Sequence, residues 1–289
     1  MSLLRAVGDL LAPRQCVVCG RKLGLQEEEI CIYCESDLPL TRYSSRVHNP
    51  MADRINLLIE SHREDSDQEP YAYATSLIFY HSGNPYSRIP QALKYHYKLS
   101  TGRFFARRLG EEIALAPHFA DVEAVIPVPL HWTRRFQRGY NQSEIIAREV
   151  AKALGVPCVN ALRRRRRTKT QTKLSGEDKA RNVRDAFTVV PSVISAAASV
   201  ISSDLSSVIS SGLPSVISSG LPSVISSGLP SVISSERSES RNLSPRHLLL
   251  VDDTFTTGAT LYACFAALRS ALGPSVRISF CTLASVTSL

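Results

Sequence analysis

HLLLVDDTFTTGAT, residues 247–260, is the stretch on which the reading of this chain turns. Leu248, Leu249, Leu250 and Val251 make an apolar run with the length and composition of a buried parallel strand. Asp252 and Asp253 follow at its end, then a hydroxyl-rich turn over residues 254–258 and a helix from about Ala259. Two neighbouring carboxylates at the end of a buried strand project from the sheet edge, where a dry yet reachable site forms. A Thr-Thr-Gly-x-Thr turn feeding a helix offers backbone N–H groups, hydroxyls and the positive helix end to one phosphate. Carboxylates accept hydrogen bonds from sugar hydroxyls, or reach a divalent metal through water. The stretch therefore predicts a sugar-phosphate cradle. Asp252 and Asp253 would hold a ribose, and Thr254, Thr256, Thr257, Gly258, Ala259 and Thr260 would surround its 5′-phosphate. A strand, turn and helix that carry their acids by chance is the bland alternative.

The run LLLVDDTFTTGAT resembles the signature of type I phosphoribosyltransferases, which bind phosphoribosyl pyrophosphate (PRPP). The resemblance implies an α/β fold, a parallel sheet flanked by helices, and magnesium arriving with PRPP. The order of apolar run, paired acids, threonine turn and helix is far more specific than a lone glycine-rich loop.

Size and composition set wider bounds. A chain of 289 residues has room for about two domains, and 44% hydrophobic residues is ordinary for a soluble protein. No run reaches the roughly 18 apolar residues that a membrane helix needs. The opening MSLLRAVGDLLAPRQC carries Arg5 and Asp9 inside its apolar pattern, so it predicts a short amphipathic helix rather than a leader, and a cytoplasmic protein. A formal charge of +8 favours anionic partners, phosphorylated metabolites and nucleic acid alike.

Cys16 and Cys19 form one CxxC pair, and Cys31 and Cys34 another. Such doubled pairs aim four thiolates at one tetrahedral zinc, and a knuckle this poor in apolar residues needs the metal to fold. Two disulfides or a redox CxxC are the rival readings; four thiolates leave no open position for catalysis. Cys158, Cys264 and Cys281 lie in apolar segments and are expected as reduced core residues. Residues 37–69 are polar and predict an irregular connector, with His48 and His62 at the surface.

Residues 71–80 predict a strand, a helix follows through Ile89 and Leu93, and a second helix spans about 101–116. Residues 122–128 predict a strand that stops at Pro127 and Pro129, then a basic loop carrying Arg134, Arg135 and Arg138. Ser143 is expected to cap the next helix, ended by Gly155 and Pro157. Guanidinium forks match phosphate oxygens in pairs, so Val128, Pro129 and these three arginines predict a pyrophosphate loop; a solvated basic loop is the alternative.

The stretch VIPVPLHWTRRFQRGYNQS narrows the resemblance to the ComF family, which joins an N-terminal zinc ribbon to a phosphoribosyltransferase domain. The match also takes in Thr168, Gln171, Leu174, Asn182 and Phe187. It implies that a flap near the arginine run 163–167 closes over PRPP; a solvated run is the usual fate of such residues. Ser175 and Asp178 suggest a capping box. From residue 192 the unit GLPSVISS recurs with a period of eight, at Gly212, Gly220 and Gly228. Almost without charge and rich in serine, this segment predicts disorder, with an octapeptide solenoid as the alternative. The family pattern has a short turn there.

The chain is thus expected as a helix and zinc ribbon over 1–45, a connector over 46–70, and a phosphoribosyltransferase-like α/β domain over 71–190 and 246–289. A low-complexity insert over 191–245 interrupts that domain. The sequence names no general base and no acceptor, so catalytic residues are unassigned. The resemblance associates the family with competence. Single-stranded DNA and the competence machinery are therefore possible partners beside PRPP, and a PRPP sensor without turnover is a third reading.

Overall fold

A computed structural model describes residues 13–62, 69–81, 83–95, 98–164, 186–190 and 247–286. Among them the elements run α1 (Ile32–Ser36), α2 (Pro50–Ser61), β1 (Ala74–Tyr80), α3 (Arg88–Tyr95), α4 (Leu99–Ala114), β2 (Ala124–Pro127) and α5 (Trp132–Arg138). Then come α6 (Gln142–Leu154), β3 (Leu162–Arg164), β4 (Phe187–Val189), β5 (His247–Phe255), α7 (Ala259–Leu272) and β6 (Arg277–Val286). The expected N-terminal helix, the end of the arginine run, the flap, the capping box and the repeat insert lie outside the described residues.

Four strands form one sheet in the order β1-β6-β5-β2, and every pairing is parallel. The α/β class and the helix-flanked parallel sheet expected from sequence are observed. The reason lies in β5. Leu248, Leu249, Leu250 and Val251 are all fully buried because both sheet faces are covered. Leu249 and Val251 pack with Phe105 and Leu109 of α4 and Ile146 and Val150 of α6. Leu248 and Leu250 pack with Ile55 of α2 and Leu268 of α7. Each such side chain contributes about 1.5–3 kcal/mol by leaving water.

Both sheet edges are closed. Val125 N–H donates to Pro157 O and Val159 N–H to Val125 O, at 3.0 and 2.8 Å, beyond β2. Beyond β1, Phe79 N–H donates to Pro39 O and Thr41 N–H to Leu77 O, at 2.8 and 3.0 Å. Covered edges remove a template for aggregation.

Three expectations are corrected. The stretch read as an irregular connector contains the twelve-residue helix α2. Asn49 caps it by accepting from Met51 and Ala52 N–H, Pro50 fits its first turn, and Met51, Ala52, Ile55 and Ile59 are buried on the sheet. The basic loop is in fact the helix α5, closed by Gly139 at φ 71°. The arginine run, with a solvated run as its usual fate, instead begins in a strand: β3 and β4 form an antiparallel ribbon with Arg164, partly buried, opposite Phe187. His48 is exposed as expected, while His62 is partly buried against Tyr262, ring centroids 4.8 Å apart. Cys264 and Cys281 are buried and Cys158 is partly so, all three as free thiols.

At the amino end of β5, His247 is completely buried. Its Nδ1 lies 2.6 Å from Asp121 Oδ1 and its Nε2 lies 2.7 Å from Ser279 Oγ. Burial lowers the imidazole pKa, against the pull of Asp121. The folded value lies below the unfolded one, so the unfolded chain binds more protons as pH falls below about 6.5. Stability from this group is full above that pH and is lost below it. His247→Gln is expected to flatten the fall in urea midpoint between pH 7.5 and 5.5 relative to wild type.

Candidate functional site at the carboxyl end of the central strand

β2 ends with Pro127 opposite Val251, while β5 runs on to Phe255. The turn expected from residue 254 thus starts two residues later, at Thr256. Val128 N–H makes the last bond across this edge, to Val251 O at 2.9 Å. Asp252 and Asp253 therefore have a strand neighbour on the β6 side only. Successive strand positions project alternately, yet both carboxylates are met by groups of the α3 and α6 layer. Ser143 Oγ, from α6, donates to Asp252 Oδ1 at 2.8 Å, and Asp253 N–H donates to the same oxygen at 2.8 Å. Lys94 Nζ, from α3, lies 3.2 Å from Asp253 Oδ1 and donates to Thr254 Oγ1 at 3.1 Å. Burial first, and the Asp253 charge second, push the Asp252 carboxyl up to about 7. At neutral pH that group is poised both to accept a proton and to give one.

After Phe255 the chain turns through Thr256 and Thr257, both exposed, and Gly258, which is buried. Gly258, which has no side chain to give a cap bond, caps α7 at φ 81°; Ala259 N–H donates to Thr257 Oγ1 at 3.4 Å, and Ala259 and Thr260 are exposed in the first turn. Leading N–H groups of a helix have no partner within it. Together with two threonine hydroxyls they make a surface suited to one anion. A Cβ at position 258 would meet Leu58 Cδ1 at 2.9 Å, besides the left-handed φ. Gly258→Ala is expected to cost about 1–3 kcal/mol, read from the denaturant midpoint, and to weaken phosphate binding.

Beside the acids lies a cleft of about 340 Å³ lined by Lys94, Tyr95, Arg134, Gln137 and Arg138. Arg138 sits over the Tyr95 ring at 5.4 Å. Two of the three expected arginines, Arg134 and Arg138, thus reach one cavity. Arg135 turns instead to Glu144 Oε2 at 3.8 Å. Val128 is spent on the fold, its N–H on Val251 and its carbonyl accepting from Asn141 Nδ2 at 3.0 Å. Pro129 is partly buried next to it.

The cysteine module has its own geometry. The Sγ atoms of Cys16, Cys19, Cys31 and Cys34 lie within 4.8 Å of one another, Cys19 and Cys31 at 3.7 Å. Tetrahedral zinc with bonds of about 2.3 Å separates its sulfurs by about 3.8 Å, so the four thiols fit a structural zinc. Gly20 at φ 76° turns the first knuckle, and Cys31 precedes α1. Among the described residues no other group of three or more His, Cys, Asp or Glu could hold a metal. The module is docked on the α/β body: Arg88 Nη1 donates to Val18 O at 2.6 Å, Tyr86 OH to Cys34 O at 3.0 Å and Thr101 Oγ1 to Glu29 Oε2 at 2.6 Å. Arg108 pairs with Glu35 at 2.7 Å.

No family model matches the chain. It is, however, 26% identical over 182 residues to "Competence protein F" of Haemophilus influenzae, a match that covers 62% of this chain and 77% of that protein. The chain is a ComF homologue. "DNA utilization protein YhgH" of Salmonella typhi and of Salmonella typhimurium are each 30% identical over 107 residues. There the match covers 36% of this chain and 47% of each relative, so it spans about half their length.

Three residues of this ComF homologue take places at the site that the sequence did not announce. Lys94 stands inside an ordinary amphipathic helix, where a lysine reads as solvated surface. Ser143 was expected to cap α6, but Asn141 holds that position and the Ser143 hydroxyl serves Asp252. Arg164 lies over the Phe187 ring at 5.3 Å and within electrostatic reach of Asp252 and Arg134; burial lowers its pKa. Sequence spacing gives no hint that β3 folds back toward the acids. No helix among the described residues is long and apolar enough to cross a membrane.

Proposed function

We propose that the carboxyl end of β5 binds PRPP and transfers or senses its phosphoribosyl group. One observation carries the reading: the acid pair lies between the exposed threonine turn of α7 and the cationic cleft, joined to the cleft by Lys94. Asp252 and Asp253 would accept from the ribose hydroxyls, and Thr256, Thr257, Gly258, Ala259 and Thr260 would surround the 5′-phosphate. Lys94, Arg134 and Arg138 would take the diphosphate. In turnover an acceptor's lone pair forms the new bond to C1 as the bond from C1 to the diphosphate oxygen breaks. Diphosphate leaves with the electron pair and the acceptor loses a proton. Positioning and neutralisation of the leaving group supply most of the catalysis. Two carboxylates alone are a poor cage, so magnesium would come bound to the diphosphate oxygens.

The domain division fits this reading, with a zinc module over residues 1–45 and the α/β body over 71–190 and 246–289. α2, from the 46–70 stretch, packs on that body. A PRPP site also belongs in the cytoplasm. Thermal shift with PRPP and magnesium is the first test, and no shift at millimolar ligand would remove the reading. Turnover with candidate bases and amines then separates an enzyme from a sensor.

A second reading, nucleic-acid handling in competence, has its own observation. Trp132 and Phe136, one turn apart on α5, are 70% and 88% exposed among Arg134, Arg135 and Arg138. Aromatics between cations suit stacked single-stranded bases, and the relatives' names point to competence and DNA utilization. Trp132 is the sole tryptophan of the chain. Oligothymidine should therefore quench its fluorescence with a steep salt dependence, and unaltered emission would dismiss this reading.

A further inference from the structure

Lys94 joins the acid pair to the cleft by direct contact. Its Nζ is 3.2 Å from Asp253 Oδ1 and 3.1 Å from Thr254 Oγ1, and the same residue lines the cleft with Arg134 and Arg138. An ammonium has three donors and no acceptor; Asp253 and Thr254 take two of them. Both partners are largely sheltered, with side chains 23% and 14% exposed, so the pair is weakly screened by salt. The four-carbon stem of a lysine lets its charge swing between neighbouring anions, which a planar, forked arginine does less readily. Arg134 and Arg138 stand on α5, and the ion pair that Asp253 makes is with Lys94.

We infer that Lys94 is a shared cation: it neutralises Asp253 in the free protein and passes to a diphosphate that enters the cleft, which frees Asp253 for the sugar hydroxyls. The inference rests on the cleft's reading as the diphosphate subsite and adds to it an order of events. A diphosphate carries more negative charge than one carboxylate and presents it beside two further guanidinium groups, so it competes well for the ammonium. Asp253, once released, lies next to Asp252 with its oxygens open to hydroxyl donors. The sugar end and the diphosphate end of one ligand would thereby help each other to bind, through a single side chain. By linkage the effect is reciprocal: removing the Asp253 charge should strengthen the hold of Lys94 on a diphosphate.

Calorimetry with inorganic pyrophosphate on the full chain tests this as a double-mutant cycle. Lys94→Met is expected to weaken pyrophosphate about ten-fold or more, and Asp253→Asn to tighten it about five-fold or more. In the Lys94→Met background, Asp253→Asn should change nothing. Equal tightening in both backgrounds would mean that Asp253 merely repels the anion, and the shared-cation inference falls. Undiminished affinity in Lys94→Met overturns it as well. Lys94→Gln repeats the cycle should the methionine variant melt early. Ribose 5-phosphate separates the two failures. If wild type binds it but not pyrophosphate, the inference is lost while the sugar-phosphate cradle stands; if it binds neither, both are lost.

Discussion

Asp252→Asn is expected to melt higher than wild type at pH 8, and in company with Asp253→Asn to bind no PRPP. The stability gain follows from the raised pKa of Asp252, about 7 in the fold, caused by burial and then by Asp253. An unfolded aspartate titrates near 3.9. Between those values the folded state binds more protons, so stability falls as pH rises through the window, and the penalty is complete above about pH 7. Asparagine carries no such charge, and its amide oxygen still accepts from Ser143 and from Asp253 N–H. The gain is on the order of a few kcal/mol at most, a rise of about 5 °C or more in Tm. It should shrink as pH is lowered from 7 toward 4. Binding is lost because a neutral amide accepts from hydroxyls less strongly than a carboxylate; two such losses of about 1.5–3 kcal/mol each put PRPP beyond millimolar reach. Scanning calorimetry at pH 8 and pH 5, with and without PRPP, reads both effects. A lower Tm for Asp252→Asn at pH 8 would show that the carboxylate supports the fold, and PRPP binding by the double variant would show that the acids are not its site.

Zinc removal should be the most destructive single treatment. Structural zinc in small knuckles supplies about 10–16 kcal/mol of binding energy that is also folding energy. Here the damage would spread, because Cys16, Val17, Val18, Ile30 and Cys31 share one buried cluster with Phe105 and Leu109 of α4. Arg88, which opens α3, is bonded to Val18 O within the knuckle. A strong chelator, or Cys31→Ser, is expected to lower Tm by more than about 10 °C and to speed amide exchange in α3 and α4. Elemental analysis should find one zinc per chain. A protein that keeps its Tm after complete chelation would have no structural need for the metal.

What was legible in the sequence was what periodicity and local chemistry dictate. The apolar run of β5, Gly258 before α7 and the paired CxxC motifs each have a one-dimensional signature and each is placed as read, whereas the acids follow the apolar run but still lie inside the strand, which continues to Phe255. Helix α2 had one too, Asn49-Pro50 before Met51, Ile55 and Ile59, but the surrounding acids and serines masked it. Helix α5 is only seven residues long and exposes its two large apolar side chains, so it has no apolar stripe to read. The roles of Lys94, Ser143 and Arg164 depend on where α3, α6 and β3 meet β5, which only tertiary packing settles.

His247 is where the chain re-enters the sheet after the repeats, and Asp252 comes five residues further along an extended strand, about 17 Å away at the usual rise per residue. The repeat unit is eight residues long, so gaining or losing a whole unit leaves the reading frame intact. Chain added or removed that way joins the sheet at the pole remote from the chemistry. A change of copy number at this junction therefore alters the chain where it enters β5, at the strand end opposite the acids.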